Sequence, residues 1–143
     1  MTEKKYLDAT QEAGKAFYQR HIEGPVIMLN LLKFKSVADY AQTPALAPAD
    51  EISGKEAYRL YMDYTMPFLK ESGGELIFYG KGGHYLIGPE AERWDAILLV
   101  KHKSVATFME FATNKEYLKG MGHRTAALED SRLLPMEEKL FSR

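Results

Sequence analysis

The sequence predicts an α+β fold, a four-stranded antiparallel sheet with its helices on one face, and three observations predict it. Segments of helical and strand periodicity follow one another as a helix and then β-α-β-β-α-β. Serine caps mark where two of the helices begin, at Ser53 and Ser104. The strand segments are apolar on both faces instead of alternating. That order of elements is the split βαβ, or ferredoxin-like, unit.

The first helix is expected over residues 9–21. Asp8 precedes it, Gln11 stands at the capping-box distance, and Ala13, Ala16, Phe17 and Arg20 form a thin stripe before Gly24 and Pro25 end it. Residues 26–34 follow, an apolar run of strand length with a β-branched start and a Gly-Pro boundary, which favours strand over helix. Residues 41–52 hold Pro44 and Pro48 and predict an irregular connection. Ser53 and Glu56 then form a capping box, and Ala57, Leu60, Tyr61, Tyr64 and Phe68 recur at helical spacing. Pro67 should kink this helix or end its regular part near Met66, and Gly73 suits the position just past it.

Residues 75–79 and 84–87 are expected to form one long strand, bulged or bent at Gly80, Gly82 and Gly83. A turn at Gly88-Pro89 leads to a strand over 95–102, making a hairpin. Ser104 caps a helix with Val105, Phe108, Met109 and Ala112 on one face. Asn114 caps a short turn carrying Tyr117 and Leu118, closed by Gly120 and Gly122. This leaves His123 and Arg124 on a loop before a last strand at 131–136. The whole chain is expected to be one domain, with residues 1–24 an extension and 25–136 the core.

Composition narrows the function. The chain has 143 residues, a formal net charge of −1 and no dense run of Lys or Arg, so nucleic-acid binding is not expected. It has no cysteine, which excludes disulfides, thiolate metal sites and a cysteine nucleophile. The apolar run at 26–32 is far short of the roughly 20 residues of a membrane helix, and the N-terminus lacks the apolar core of a signal peptide. The expectation is a soluble cytoplasmic protein without a cofactor.

The two-faced strands predict a partner. Val26, Met28, Leu32 and Phe34 oppose Ile27, Leu29 and Leu31. Ala96, Leu98 and Val100 oppose Ile97 and Leu99, while Leu76 and Phe78 oppose Ile77 and Tyr79. Helices on one face leave a second apolar face, which either the N-terminal helix or a second copy of the sheet must cover; the thin stripe of that helix favours a homodimer.

Candidate site residues are few. Asn30 interrupts an apolar strand, where its amide requires a partner, either a ligand or a neighbouring side chain or loop. Arg124 is suited to a bidentate grip on a carboxylate, with His123 beside it as acid or base; the alternative is an ion pair with Asp95, Glu129 or Asp130. Tyr58, Tyr61 and Tyr64 lie on the helix facing the sheet and read as core with wetted hydroxyls before substrate cage. His84 and His102 read as strand residues at the rim or core edge. The four histidines show no local metal spacing. The glycine-rich stretch at 80–84 lacks phosphate-loop spacing, and no nucleophile-elbow serine exists.

Taken together, several segments carry a resemblance. GPVIMLNLLKF, SGKEAY, a strand opened by Gly-Gly, ERWDAILLVKH followed by a Ser-capped helix with F-x-x-F, and YLKGMGHRTAALEDSRLLP stand in an order that resembles the domain of unknown function 1330 family. The resemblance spans residues 25–135 and implies a ferredoxin-like unit that dimerises as an α/β barrel. His123, Arg124 and Asn30 match its pattern, without an established role there. The wider superfamily implies small-molecule sites between sheet and helices, in oxygenases, isomerases, haem enzymes and sensory domains. The function expected is small-molecule binding, with turnover of a small aromatic or carboxylic compound by a cofactor-independent oxygenase or isomerase. His123, Arg124 and His102 would then be catalytic, and Asn30, Tyr58, Tyr61 and Phe108 would bind substrate. A non-catalytic binding module and a structural dimer are the alternatives.

Overall fold

The computed structural model describes residues 4–141. Four strands, β1 (Val26–Phe34), β2 (Glu75–His84), β3 (Arg93–His102) and β4 (Leu128–Glu137), form one antiparallel sheet in the order β2-β3-β1-β4. Among the described residues five α-helices accompany it, α1 (Gln11–Tyr18), α2 (Gly54–Glu71), α3 (Val105–Ala112), α4 (Lys115–Leu118) and α5 (Met121–Ala127), with a single 3-10 turn at Pro44–Leu46. The fold is ferredoxin-like. Among the described residues no helix is long and apolar enough to cross a membrane.

The core lies between the sheet and α2. Leu32, Ala96 and Leu98 from the central strands pack with Ala57, Tyr58 and Tyr61 of α2, Tyr117 of α4 and Leu128 at the start of β4. The capping box opens α2 as expected: Ser53 Oγ accepts from the Glu56 amide at 3.1 Å, and Glu56 returns the bond to the Ser53 amide. Pro67 does not end the helix. It and Asp63, whose carbonyl loses its helical donor, are both exposed, so water can replace the missing bond.

Gly54, the first residue of α2, is where three segments converge. A Cβ there would lie 2.3 Å from the Lys35 carbonyl oxygen and 2.6 Å from that of Ala127. Both neighbours are backbone tied into the sheet by the Lys35 N–H to Ala127 carbonyl bond. Gly54→Ala should therefore cost about 3 kcal/mol or more, at the upper end of overpacking. Urea unfolding followed by circular dichroism measures it; a loss below about 1 kcal/mol would show that the junction relaxes.

Elsewhere the structure departs from expectation. Thr10, not Asp8, caps α1, its hydroxyl accepting from the Ala13 amide at 3.0 Å, and the helix stops at Tyr18. His21 and Gly24 then take left-handed φ values of 48° and 76°, which turn the chain into β1. Strand β2 runs unbroken through its glycines and ends at His84. Gly82 fits because a Cβ there would meet the Trp94 carbonyl at 2.3 Å. The register break lies earlier, between Leu76 and Phe78, so Ile77 is the extra residue. Leu76 and Tyr79 therefore share the helix-side face with their partners Val100 and Leu98, while Phe78 joins Leu99 on the other face. Residues 121–127 form a helix where a loop is expected, and β4 starts at Leu128.

The second face stays open. Ile27, Leu29, Leu31, Ile97 and Leu99 alternate with the core residues and are only half-buried. Phe78 and Leu134 beside them are 51% and 54% exposed. Helix α1 does not cover it. Phe17 packs edge-on against Phe108 of α3 with ring centroids 6.0 Å apart, and Arg20 donates to the Pro135 carbonyl, which places α1 on the helix side.

Candidate functional site

A cavity of about 260 Å³ lies between the sheet and its helices. Its floor is the helix-side face of β1 and β3, with Met28, Asn30, Leu98, Val100 and His102. Its roof is α2, α3 and α4, and the N-terminal segment from Leu7 to Ala9 closes one side. Among the described residues no three acidic or histidine side chains are grouped to hold a metal ion.

Six of the seven candidate residues line this cavity: Asn30, Tyr58, Tyr61, His102, Phe108 and Arg124. His123 does not. Its Nδ1 bonds the Tyr40 hydroxyl at 2.8 Å, with the two rings edge to face, and partial burial there lowers its pKa. The reason is α5. Successive residues on a helix point about 100° apart, so the turn that aims Arg124 inward aims His123 at Tyr40, just ahead of the 41–52 connection.

Arg124 donates from Nη1 to the Leu7 carbonyl at 2.6 Å and from Nη2 to Ser131 Oγ at 3.4 Å. Nε–H and the second N–H of each Nη have no protein acceptor among the described residues. No carboxylate there forms an ion pair with it. Asp95 is held by Arg93, Glu129 by Lys5 and Lys33, and Asp130 by Arg132. Asp8 stands exposed at the rim without pairing. Asn30 makes one long bond, Nδ2 to the Met28 carbonyl at 3.3 Å, and its Oδ1 has no protein partner among the described residues.

The aromatic lining is tied together. The Tyr61 and Tyr117 hydroxyls bond at 2.6 Å, and Tyr117 also contacts Met121 Sδ at 3.2 Å. Burial, reinforced by neighbouring phenols, pushes the Tyr58 and Tyr117 hydroxyls well above the usual tyrosine range, so both stay neutral. His102 is 2% exposed, wedged between Phe108 and Phe111, and desolvation pushes its pKa down to about 4. It is a neutral imidazole at pH 7.

Sequence reasoning missed Thr65, Phe111 and the Leu7 segment as lining. Thr65 was legible, one helical turn beyond Tyr61 and two beyond Tyr58. Nothing local marks the Leu7 segment, which Arg124 holds through the Leu7 carbonyl.

The chain matches no family model and no curated protein sequence. It does resemble solved structures. The methylated RPA0582 protein superposes with a TM-score of 0.85 at 32% identity, covering 97% of this chain and 98% of that one. A second structure of RPA0582, described as a protein of unknown function from Rhodopseudomonas palustris, gives 0.82 at 34% identity, covering 96% and 99%. A dimeric ferredoxin-like protein of unknown function from Jannaschia sp. CCS1 shares the fold alone, with a TM-score of 0.53 and 13% identity over 80% of this chain and all of that one. Identity above 30% over nearly the full length of both chains shows that this chain belongs to the same family as the Rhodopseudomonas palustris RPA0582 protein.

Proposed function

We propose that this chain binds a small organic acid, aromatic or aryl-substituted, in the cavity between sheet and helices. One observation carries the proposal: Arg124 is a half-buried cation on a largely apolar wall with no carboxylate partner among the described residues. A bound carboxylate would take its free donors in bidentate fashion. A dry cavity of ~150 Å³ accepts a benzene ring. The volume of about 260 Å³ therefore suits one ring with a short side chain. The family shared with RPA0582 is, in this proposal, the domain of unknown function 1330 family that the chain's segments resemble.

Titration calorimetry with trans-cinnamate tests the site. The wild type should bind it, and Arg124→Gln should weaken binding at least tenfold, about 1.4 kcal/mol. The neutral cinnamamide should bind the wild type equally poorly. Equal affinity for acid and amide would end the proposal.

Turnover is a second reading, favoured by His102 alone. Its Nδ1 has no partner in the protein among the described residues; burial makes it a weak base, able to take a proton only from a compound whose resulting anion stays paired with it in the cavity. The Arg124-His123 pair expected from sequence would not act together, since His123 faces away.

The open face of the sheet is proposed to bury itself against a second copy, giving a dimeric α/β barrel. Its apolar row across all four strands and the dimeric description of the Jannaschia protein support this.

A further inference from the structure

Two buried side-chain polar atoms lack any hydrogen-bond partner among the described residues, Thr65 Oγ1 and His102 Nδ1. Their residues are 4% and 2% exposed, and both line the cavity. An orphaned buried polar group is costly, so two on the lining of one cavity favour a ligand whose polar group pairs with them. The Leu69 side chain and His102 Nδ1 both lie within 3.3 Å of where a Gly74 Cβ would stand, which brings this end of α2 over His102, and Thr65 is one helical turn before Leu69 on the same lining.

This is the far end of the cavity from the cation. His102 pairs with Val26, whereas Asn30 pairs with Leu98 four residues along β1. Four strand residues span roughly 13 Å. Arg124 lies beyond Asn30, since it bonds Ser131, the partner of Leu32. A ligand touching both ends must hold its polar groups roughly 7–10 Å apart once a hydrogen bond is allowed at each end. The far end has no charge of its own, because His102 is neutral there. It suits a group that both donates and accepts: a hydroxyl gives its proton to an imidazole nitrogen and accepts from Thr65. Phe108 and Phe111 pack against the His102 ring at that end.

We infer that the ligand is an elongated aryl acid with a hydroxyl opposite its carboxylate, the carboxylate at Arg124 and Asn30 and the hydroxyl at Thr65 and His102. The inference rests on the reading of the cavity as an acid-binding site and adds the second pole. Calorimetry on the full chain compares trans-4-hydroxycinnamate, which carries both groups, with cinnamate and with 4-vinylphenol, which carry one each. The two-pole acid should bind at least tenfold tighter than either. 4-Hydroxybenzoate, too short to span, should lose most of that gain. Thr65→Val and, separately, His102→Phe should cut the preference of hydroxycinnamate over cinnamate to below threefold. Equal binding of hydroxycinnamate and cinnamate, with both weakened by Arg124→Gln, would overturn the inference and leave the acid site standing. A preference that survives both far-end variants would also overturn it. Failure of all the acids to bind would remove both readings together.

Discussion

Leu29→Glu should turn a dimer of this chain into monomers. Leu29 sits mid-sheet on the open face, paired with Leu99 on one side and Leu134 on the other, and Leu99 in turn pairs with Phe78. The four form a continuous apolar row across the sheet. Packing such rows face to face around a two-fold axis puts both copies of residue 29 near the centre of the contact. A carboxylate there is buried twice per dimer without a cation, at several kcal/mol each. Dissociation should strengthen at least a thousandfold, about 4 kcal/mol. Size-exclusion chromatography with light scattering should give twice the 16.3 kDa chain mass for the wild type and the single mass for the variant. The core lies on the other face, so the variant's circular dichroism should stay that of a folded protein. A wild type that runs at the single mass at micromolar concentration would refute the dimer.

Acid should destabilise the wild type through His102. The folded pKa is about 4 against an ordinary value of 6.5. Between those values the unfolded chain takes up a proton that the folded one refuses, so stability is complete above about pH 6.5 and falls until about pH 4. The full loss is on the order of 3 kcal/mol, with about 2 kcal/mol gone by pH 5. Carboxylates held low by hydrogen bonds, such as Asp130, whose oxygens accept from the Tyr6 and Ser131 amides and pair with Arg132, act in a lower window as they protonate. Urea unfolding at pH 7 and pH 5 should therefore separate the wild type from His102→Leu, the variant losing about 2 kcal/mol less. Parallel pH dependences would mean that the imidazole is not held neutral by its burial.

Much of the fold could be read directly. The cap at Ser53, the apolar run of β1 and the opposed faces of β1 and β3 depend on local chemistry, and each stands where the sequence places it. The misreadings have tertiary causes. Gly120 and Gly122 look like helix terminators, but Gly120 lies against the Tyr64 ring and Gly122 against Thr43 and Leu46, so close approach, not a turn, demands them. That hid α5, and with it the divergence of His123 from Arg124. Asn30 stood out as a candidate because it interrupts an apolar strand, where an unpaired amide is costly, and Arg124 because its fork of donors beside His123 suits a carboxylate. Their distance from His102 was not legible, since it depends on the strand register.

The extra residue at Ile77 has a consequence for reading relatives of this chain. If the strand kept all its residues but ran without the bulge, every later residue of β2 would exchange faces, bringing the Tyr79 hydroxyl into the apolar row and sending Phe78 toward Tyr58. A homologue whose alignment shows a gap there therefore keeps the same polar code through the rest of the strand, because its later residues hold the same partners on β3. A homologue that keeps the residue and straightens the strand must carry the inverse code.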